Sequence, residues 1–182
     1  MKFSQWIILS FILVFCWSTS SLAQEPHFEL IQPDDFSERG SMTNAWADFD
    51  NDGDLDLFVG FGPGQTNRLY RNDKGYFTDI AAEVNLADTE GTRAVAWGDY
   101  DADGHLDIYV GFSGGSTTGP SEIPNKLYRN EGNGSFFTDA TQHLDIELSL
   151  GLSRQISWID YDNDGDVDLF VGFRDIPNVL FR

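Results

Sequence analysis

Asp48-Phe49-Asp50-Asn51-Asp52-Gly53-Asp54-Leu55-Asp56 decides how this chain is read, because the stretch occurs three times. It returns as Asp99-Tyr100-Asp101-Ala102-Asp103-Gly104-His105-Leu106-Asp107, and again as Asp160-Tyr161-Asp162-Asn163-Asp164-Gly165-Asp166-Val167-Asp168. The shared pattern is Asp-x-Asp-x-Asp-Gly-x-x-Asp. A tryptophan stands two residues before each copy (Trp46, Trp97, Trp158), and an apolar run ending at Phe61, Phe112 or Phe173 follows it. Internal repetition on this scale has to be recognised first, because it sets the architecture.

Four carboxylates within nine residues repel one another unless a cation sits among them. A hard divalent ion takes oxygen ligands, and calcium takes six to eight at about 2.3–2.6 Å. Positions 1, 3, 5 and 9 are the expected side-chain ligands: Asp48, Asp50, Asp52 and Asp56; Asp99, Asp101, Asp103 and Asp107; Asp160, Asp162, Asp164 and Asp168. Position 7 (Asp54, His105, Asp166) is expected to bind through its backbone carbonyl, which tolerates the histidine. Gly53, Gly104 and Gly165 fall where the chain must turn sharply, a conformation open to glycine. Up to three Ca²⁺ ions are expected. An EF-hand needs a bidentate glutamate at loop position 12, where this chain has Val59, Val110 and Val171. Magnesium, which keeps its waters and demands a tight octahedron, suits the pattern less well.

Two further motifs complete each unit. Asn67-Arg68-Leu69-Tyr70-Arg71-Asn72 recurs as Asn125-Lys126-Leu127-Tyr128-Arg129-Asn130 and as Asn178-Val179-Leu180-Phe181-Arg182; Phe77-Thr78-Asp79 recurs as Phe137-Thr138-Asp139. The acidic loops are spaced by 51 and 61 residues, and seven of the extra residues lie in the polar loop at 113–124. Each unit reads as four short strands: one ending at the tryptophan, the apolar run after the loop, the Asn-x-Leu-Tyr-Arg segment and the Phe-Thr-Asp segment. Ile80–Leu86 and Ala140–Leu144 are expected to form single helical turns. Four-stranded units repeated about every 50 residues mark an all-β fold, a β-propeller. The expected divisions are an outer strand of a preceding or closing blade at 24–40, blade 1 at 41–90, blade 2 at 91–150 and a partial blade 3 at 151–182. The repeated tryptophans are expected to pack between blades.

The chain has 182 residues, with 30 acids against 11 bases and a formal charge of −19. Such a balance argues against nucleic acid and anionic membrane surfaces as partners. Lys2 and the apolar run from Trp6 to Trp17, too short to span a bilayer, read as a secretory signal ending in Ser21-Leu22-Ala23. Residues 1–23 are therefore expected to be removed, which takes away Lys2 and leaves 30 acids and 10 bases, a charge of −20. Cys16 is the single cysteine, so the secreted or periplasmic chain would contain neither a disulfide nor a membrane span. Gly111-Phe112-Ser113-Gly114-Gly115 fits the Gly-x-Ser-x-Gly spacing, but a Gly/Thr/Pro loop follows it where a hydrolase needs a helix. His27 and His143 stand apart from every motif, and no catalytic residue is assigned: the chain is expected not to be an enzyme. Asn133-Gly134-Ser135 is a glycosylation acceptor pattern.

The acidic loops resemble the FG-GAP/VCBS repeats of extracellular propellers, including the N-terminal head of integrin α chains. Phe77-Thr78-Asp79-Ile80 followed by Trp97-Gly98-Asp99-Tyr100-Asp101 is most similar to the cartilage acidic protein and ASPIC/UnbV-like group. The resemblance spans about residues 41–182. It implies a calcium-binding, normally seven-bladed propeller used in extracellular recognition or adhesion, with a protein or glycan as partner. Two full units and a third ending at Arg182 imply a fragment, completed by further blades of a longer chain or by self-association. The alternatives are the non-catalytic propeller part of a larger secreted hydrolase or lyase, and a structural surface spacer.

Overall fold

The structure is a computed structural model that describes residues 28–113, 123–132, 134–143 and 150–182. The chain divides into Met1–Ile31 and Gln32–Arg182. The expected signal segment, the Asn133 acceptor and most of the loop at 113–124 lie outside the described residues.

Eleven strands form three antiparallel sheets among the described residues. The first contains β1 (Ser41–Ala47), β2 (Asp56–Phe61), β3 (Arg68–Asp73) and β4 (Tyr76–Asp79) in that order. The second repeats it with β5 (Thr92–Gly98), β6 (Asp107–Phe112), β7 (Lys126–Asn130) and β8 (Phe137–Asp139). The third has β9 (Ser153–Ile159), β10 (Asp168–Phe173) and β11 (Val179–Phe181). The register is the same in all three. Trp46 lies opposite Leu57, Trp97 opposite Ile108 and Trp158 opposite Leu169, each with an irregularity at the far end of the pair. Each acidic loop joins strands one and two of its sheet.

The sheets stack face to face, β1 against β5 and β5 against β9. The middle sheet shows why its second strand is apolar throughout. Side chains alternate between the two faces of a strand. Ile108, Val110 and Phe112 accordingly join Phe58 and Leu69 of the first sheet in one core, whereas Tyr109 and Leu127 join Leu169 and Val171 of the third in another. A strand buried on both faces has no polar side to present. The second and third sheets approach closely at Gly98, where a Cβ would lie 2.5 Å from Trp158 Cγ.

One expectation needs correction. Within the segment 24–40, residues 28–31 have no regular structure and Gln32–Ser37 forms turns instead of an outer strand. The side-chain amide of Gln32 takes the place of a neighbouring strand: its Oε1 accepts from Phe77 N at 2.8 Å and its Nε2 donates to Phe77 O at 3.1 Å. Phe36 packs on Tyr70 and Phe77 beside it. Pro33 lacks an N–H for a ladder, and a side chain can serve a single edge residue. At Ile80–Leu86 there is a turn, with Val84 N bonded to Ile80 O and Leu86 N to Ala81 O. The later segment is a 3₁₀ turn at Thr141–His143.

Candidate metal centres

Each acidic loop folds around its first and ninth residues. Asp48 accepts from the backbone N–H groups of Asp52 and Gly53, both at 3.0 Å. Asp99 does the same for Asp103 and Gly104, and Asp160 for Asp164 and Gly165. Short acidic side chains readily cap nearby backbone donors in this way. The caps close the loop by carrying residues 4 and 6 through the left-handed region: Asn51, Ala102 and Asn163 have φ of 59°, 56° and 60°, and Gly53, Gly104 and Gly165 of 94°, 89° and 100°. The glycines were legible in the sequence; the strain at position 4 was not.

The ninth residue opens the second strand and is buried. Asp56, Asp107 and Asp168 are 1%, 0% and 2% exposed. Asp56 accepts from Phe49 N at 3.2 Å and Asn72 N at 2.8 Å; Asp107 accepts from Tyr100 N at 3.1 Å and Asn130 N at 2.8 Å. In the third loop Asp168 accepts from Tyr161 N at 3.0 Å. These bonds fix a carboxylate at the floor of each loop.

Three carboxylates converge in every copy. Asp48, Asp50 and Asp56 each place an oxygen within 4.8 Å of the other two, and so do Asp99, Asp101 and Asp107, and Asp160, Asp162 and Asp168. Position 5 has a different neighbour: Oδ1 of Asp52, Asp103 and Asp164 accepts the backbone N–H of residue 7. At position 7, Asp54 Oδ2 accepts Lys74 N in the β3–β4 turn, and His105 is half-buried. The structure thus brings together positions 1, 3 and 9 of the expected set, and places the side chains of 5 and 7 in the supporting loop.

Burial pushes Asp56 up to about 6 and Asp107 up to about 7, against the N–H bonds that hold them. Asp50 is raised as well, first by burial and then by the charge of Asp52. Asp50 Oδ1 is moreover buried with no hydrogen-bond partner. A buried acceptor without a donor costs about 1–3 kcal/mol, more when charged. A cation among the three carboxylates would remove both penalties. The donor set is entirely oxygen, which suits calcium, magnesium or manganese and not the softer metals. The residues present therefore fit a hard divalent ion in each of the three clusters.

Two features of the centres escaped the sequence reading. Arg129 lies 3.9 Å from Asp101, and Arg182 lies 3.4 Å from Asp162 and 3.6 Å from Asp164, so the last residue of the Asn-x-Leu-Tyr/Phe-Arg motif places a cation beside its own acidic loop. The signal was present: Arg71, Arg129 and Arg182 recur in register in a base-poor chain. The second feature is the aromatic residue at position 2. Phe49 is fully buried and stacks on Trp97 of the next sheet at 5.9 Å and 13°, while its carbonyl accepts from Asn130 Nδ2 at 2.9 Å. Tyr100 packs in the core between the second and third sheets. Of the repeated tryptophans, Trp97 and Trp158 pack between sheets as expected, but Trp46 is 52% exposed.

Among the described residues no helix is long and apolar enough to cross a membrane. No curated protein matches the chain. The family model of the FG-GAP-like repeat matches twice, over residues 48–110 and 112–171, the first match running from the first acidic loop into β6 and the second from the end of β6 into β10. Those two matches span well over half of an all-β chain whose sheets repeat in the same register, and the chain belongs to the FG-GAP-like repeat family.

Proposed function

We propose that this chain is a secreted, calcium-binding propeller module for extracellular recognition or adhesion, in which the metal is structural. The observation that carries the reading is the buried, unpartnered Asp50 Oδ1 within a carboxylate triad that recurs in all three loops. Calcium accepts the irregular, oxygen-rich geometry of such a loop more readily than magnesium does. Asp48, Asp50 and Asp56, with their counterparts, would hold the ions. Each ion would draw position 2 into place along with its neighbours, and so tie the loop to the next sheet. The N-terminal signal pattern and the acidic composition support an extracellular setting, where calcium is abundant and a protein or glycan is the partner. The aligned triads are all accounted for by metal binding, which supports a non-catalytic role. The similarity to the cartilage acidic protein and ASPIC/UnbV-like group belongs to the same reading.

Calcium titration of the chelator-treated chain tests it. Three ions should bind. A site filled at ten times its dissociation constant adds about 1.4 kcal/mol to stability, so chelation should lower the melting temperature by several degrees and calcium should restore it. Asp50→Ala should remove one ion of the three. A chain that takes up no alkaline-earth ion, and melts identically with and without chelator, would overturn the reading.

A further inference from the structure

A short run of buried hydrogen bonds joins the floors of the first and second acidic loops. Phe49 N donates to Asp56 Oδ2 at 3.2 Å, Asn130 Nδ2 donates to Phe49 O at 2.9 Å, and Asn130 N donates to Asp107 Oδ1 at 2.8 Å. Asp56 and Asp107 are the ninth residues of their loops and members of the two carboxylate triads. Asp56 is 1% exposed, and Phe49, Asn130 and Asp107 are fully buried.

Asn130 stands in the middle of this run. Its Nδ2 also donates to Leu106 O at 3.2 Å, so one amide group holds the backbone of both loops. Its Oδ1 accepts from Gly132 N and Gly134 N, both at 3.1 Å. Those bonds hold Gly134 against the first loop, where an added Cβ would strike the Phe49 ring and come within 3.0 Å of Asp50 Cβ. Asp50 is position 3 of the first triad. Asn72, which occupies the same place in the first sheet, repeats the bonds made within one sheet, from its N to Asp56 Oδ1 and from its Nδ2 to Leu55 O. The bond from Asn130 to Phe49 O is the one that leaves the sheet. A ring contact runs beside it: Phe49 stacks on Trp97, two residues before the first carboxylate of the second loop.

Such a run makes closing of one loop depend on closing of the other. If the first loop opens, Phe49 O leaves Asn130 Nδ2; if the second opens, Asp107 leaves Asn130 N. Either event leaves a buried polar group unpaired, and that costs free energy because no water replaces the lost partner. A loop held closed therefore lowers the cost of closing its neighbour, and two ligands that order the same groups favour one another's binding. We infer that Asn130 couples the first and second calcium centres, so that an ion in either loop raises the affinity of the other. It is a positioning residue, since its side chain reaches the loop backbones and joins neither triad. The coupling is reciprocal, as linkage between two binding equilibria requires. The inference rests on the calcium reading above and adds a dependence between two sites that this reading leaves separate.

Isothermal titration calorimetry with calcium alone, on chelator-treated full-length chains, tests it. Asp162→Ala empties the third loop and leaves two sites. Adding Asp101→Ala then leaves only the first, and adding Asp50→Ala instead leaves only the second. The product of the two stepwise association constants of the two-site chain, divided by the product of the two single-site constants, is the coupling factor. A factor of about five or more is expected, the lower end of the usual range for coupled sites. Asn130→Asp keeps the side-chain shape and an acceptor for Gly132 and Gly134 but removes the Nδ2 donor. The same three chains carrying it should show no coupling, whereas loss of a merely structural asparagine would lower affinities and leave the factor unchanged. Amide hydrogen exchange provides a readout that needs no change at Asn130: in the chain with only the second site, calcium should slow exchange at Phe49 N in the first loop. Independent sites in the two-site chain, or coupling that survives Asn130→Asp, overturn the inference; if Asn130→Asp fails to fold, unchanged exchange at Phe49 does so. In each case three ions still bind the unaltered chain, and the calcium reading stands. A chain that binds no calcium overturns both.

Discussion

The first and second acidic loops bring the same three carboxylates together and cap the same backbone donors, yet they are built to different depths. The first loop anchors the sheet that follows it: Phe49 is wholly buried against Trp97 and its carbonyl accepts from Asn130. The second loop presents Tyr100, only half-buried, to the third sheet, but sets its ninth carboxylate deeper: burial raises Asp107 to about 7 and Asp56 to about 6. The first copy joins its carboxylate triad to sheet stacking through its position 2. The second concentrates its cost at the floor of the loop. The repeat therefore fixes the triad and its N–H caps, and varies what the loop does for its neighbours.

The largest effect that could break this comparison comes from the buried aromatic. Phe49→Ala should cost about 3–5 kcal/mol in urea unfolding, the usual loss for a fully buried phenylalanine. Tyr100→Ala, with part of its ring already in solvent, should cost clearly less. The same Phe49 variant should also weaken calcium at the first loop, because residues 48 and 50 lie on either side of the lost anchor. Equal costs at the two positions would show that position 2 does the same work in both loops.

Protons probe the loop floors. A carboxylate held above its unfolded value of about 3.9 binds protons more readily in the folded state than in the unfolded one. Stability then falls as pH rises through the folded value, and recovers as pH drops back through it. In chelator the chain should accordingly become more stable between pH 8 and about pH 5, with Asp107 contributing at the upper end, near 7, and Asp56 nearer 6. Calcium bound at the triads would keep both groups ionised and should flatten that slope. Asp107→Asn removes the upper part of the effect and leaves the lower, which separates the two loops by midpoint. A chain whose stability in chelator rises steadily from pH 5 to 8 would contradict the burial of these groups.

Most of the fold was legible because repetition fixes register. Three copies of one nine-residue loop, each followed by an apolar run and an Asn-x-Leu-Tyr/Phe-Arg segment, locate strands two and three, and the structure places β2, β3, β6, β7, β10 and β11 there. The carboxylates at positions 1, 3 and 9 were legible only within the larger expected set of 1, 3, 5 and 9, because nothing in the pattern shows that position 5 turns to the backbone N–H of residue 7. Relations between units were not. The sequence shows that Phe49 and Tyr100 are aromatic, but only stacking shows that they meet the next sheet. It shows that Arg71 and Arg129 recur, but not that strand three places Arg129 beside Asp101. Gln32 was illegible for a further reason: one amide replaces a strand through two hydrogen bonds to Phe77, and no periodicity records that.

The smallest effect concerns residue 4 of each loop. Asn51 and Asn163 occupy the left-handed region at φ of 59° and 60°, and Ala102 occupies it at 56°. Asparagine tolerates that conformation, whereas alanine brings its Cβ against the following carbonyl at a cost of about 1 kcal/mol. The second loop therefore stores strain that the other two lack. Ala102→Asn should raise the melting temperature by about 2–4 °C in a chain of this size, and Asn51→Ala should lower it by as much. Neither side chain belongs to a triad, so calcium stoichiometry should stay the same in both variants. If the two changes leave melting untouched, the loops relax around position 4 and the contrast between them lies wholly in Asp107 and Phe49.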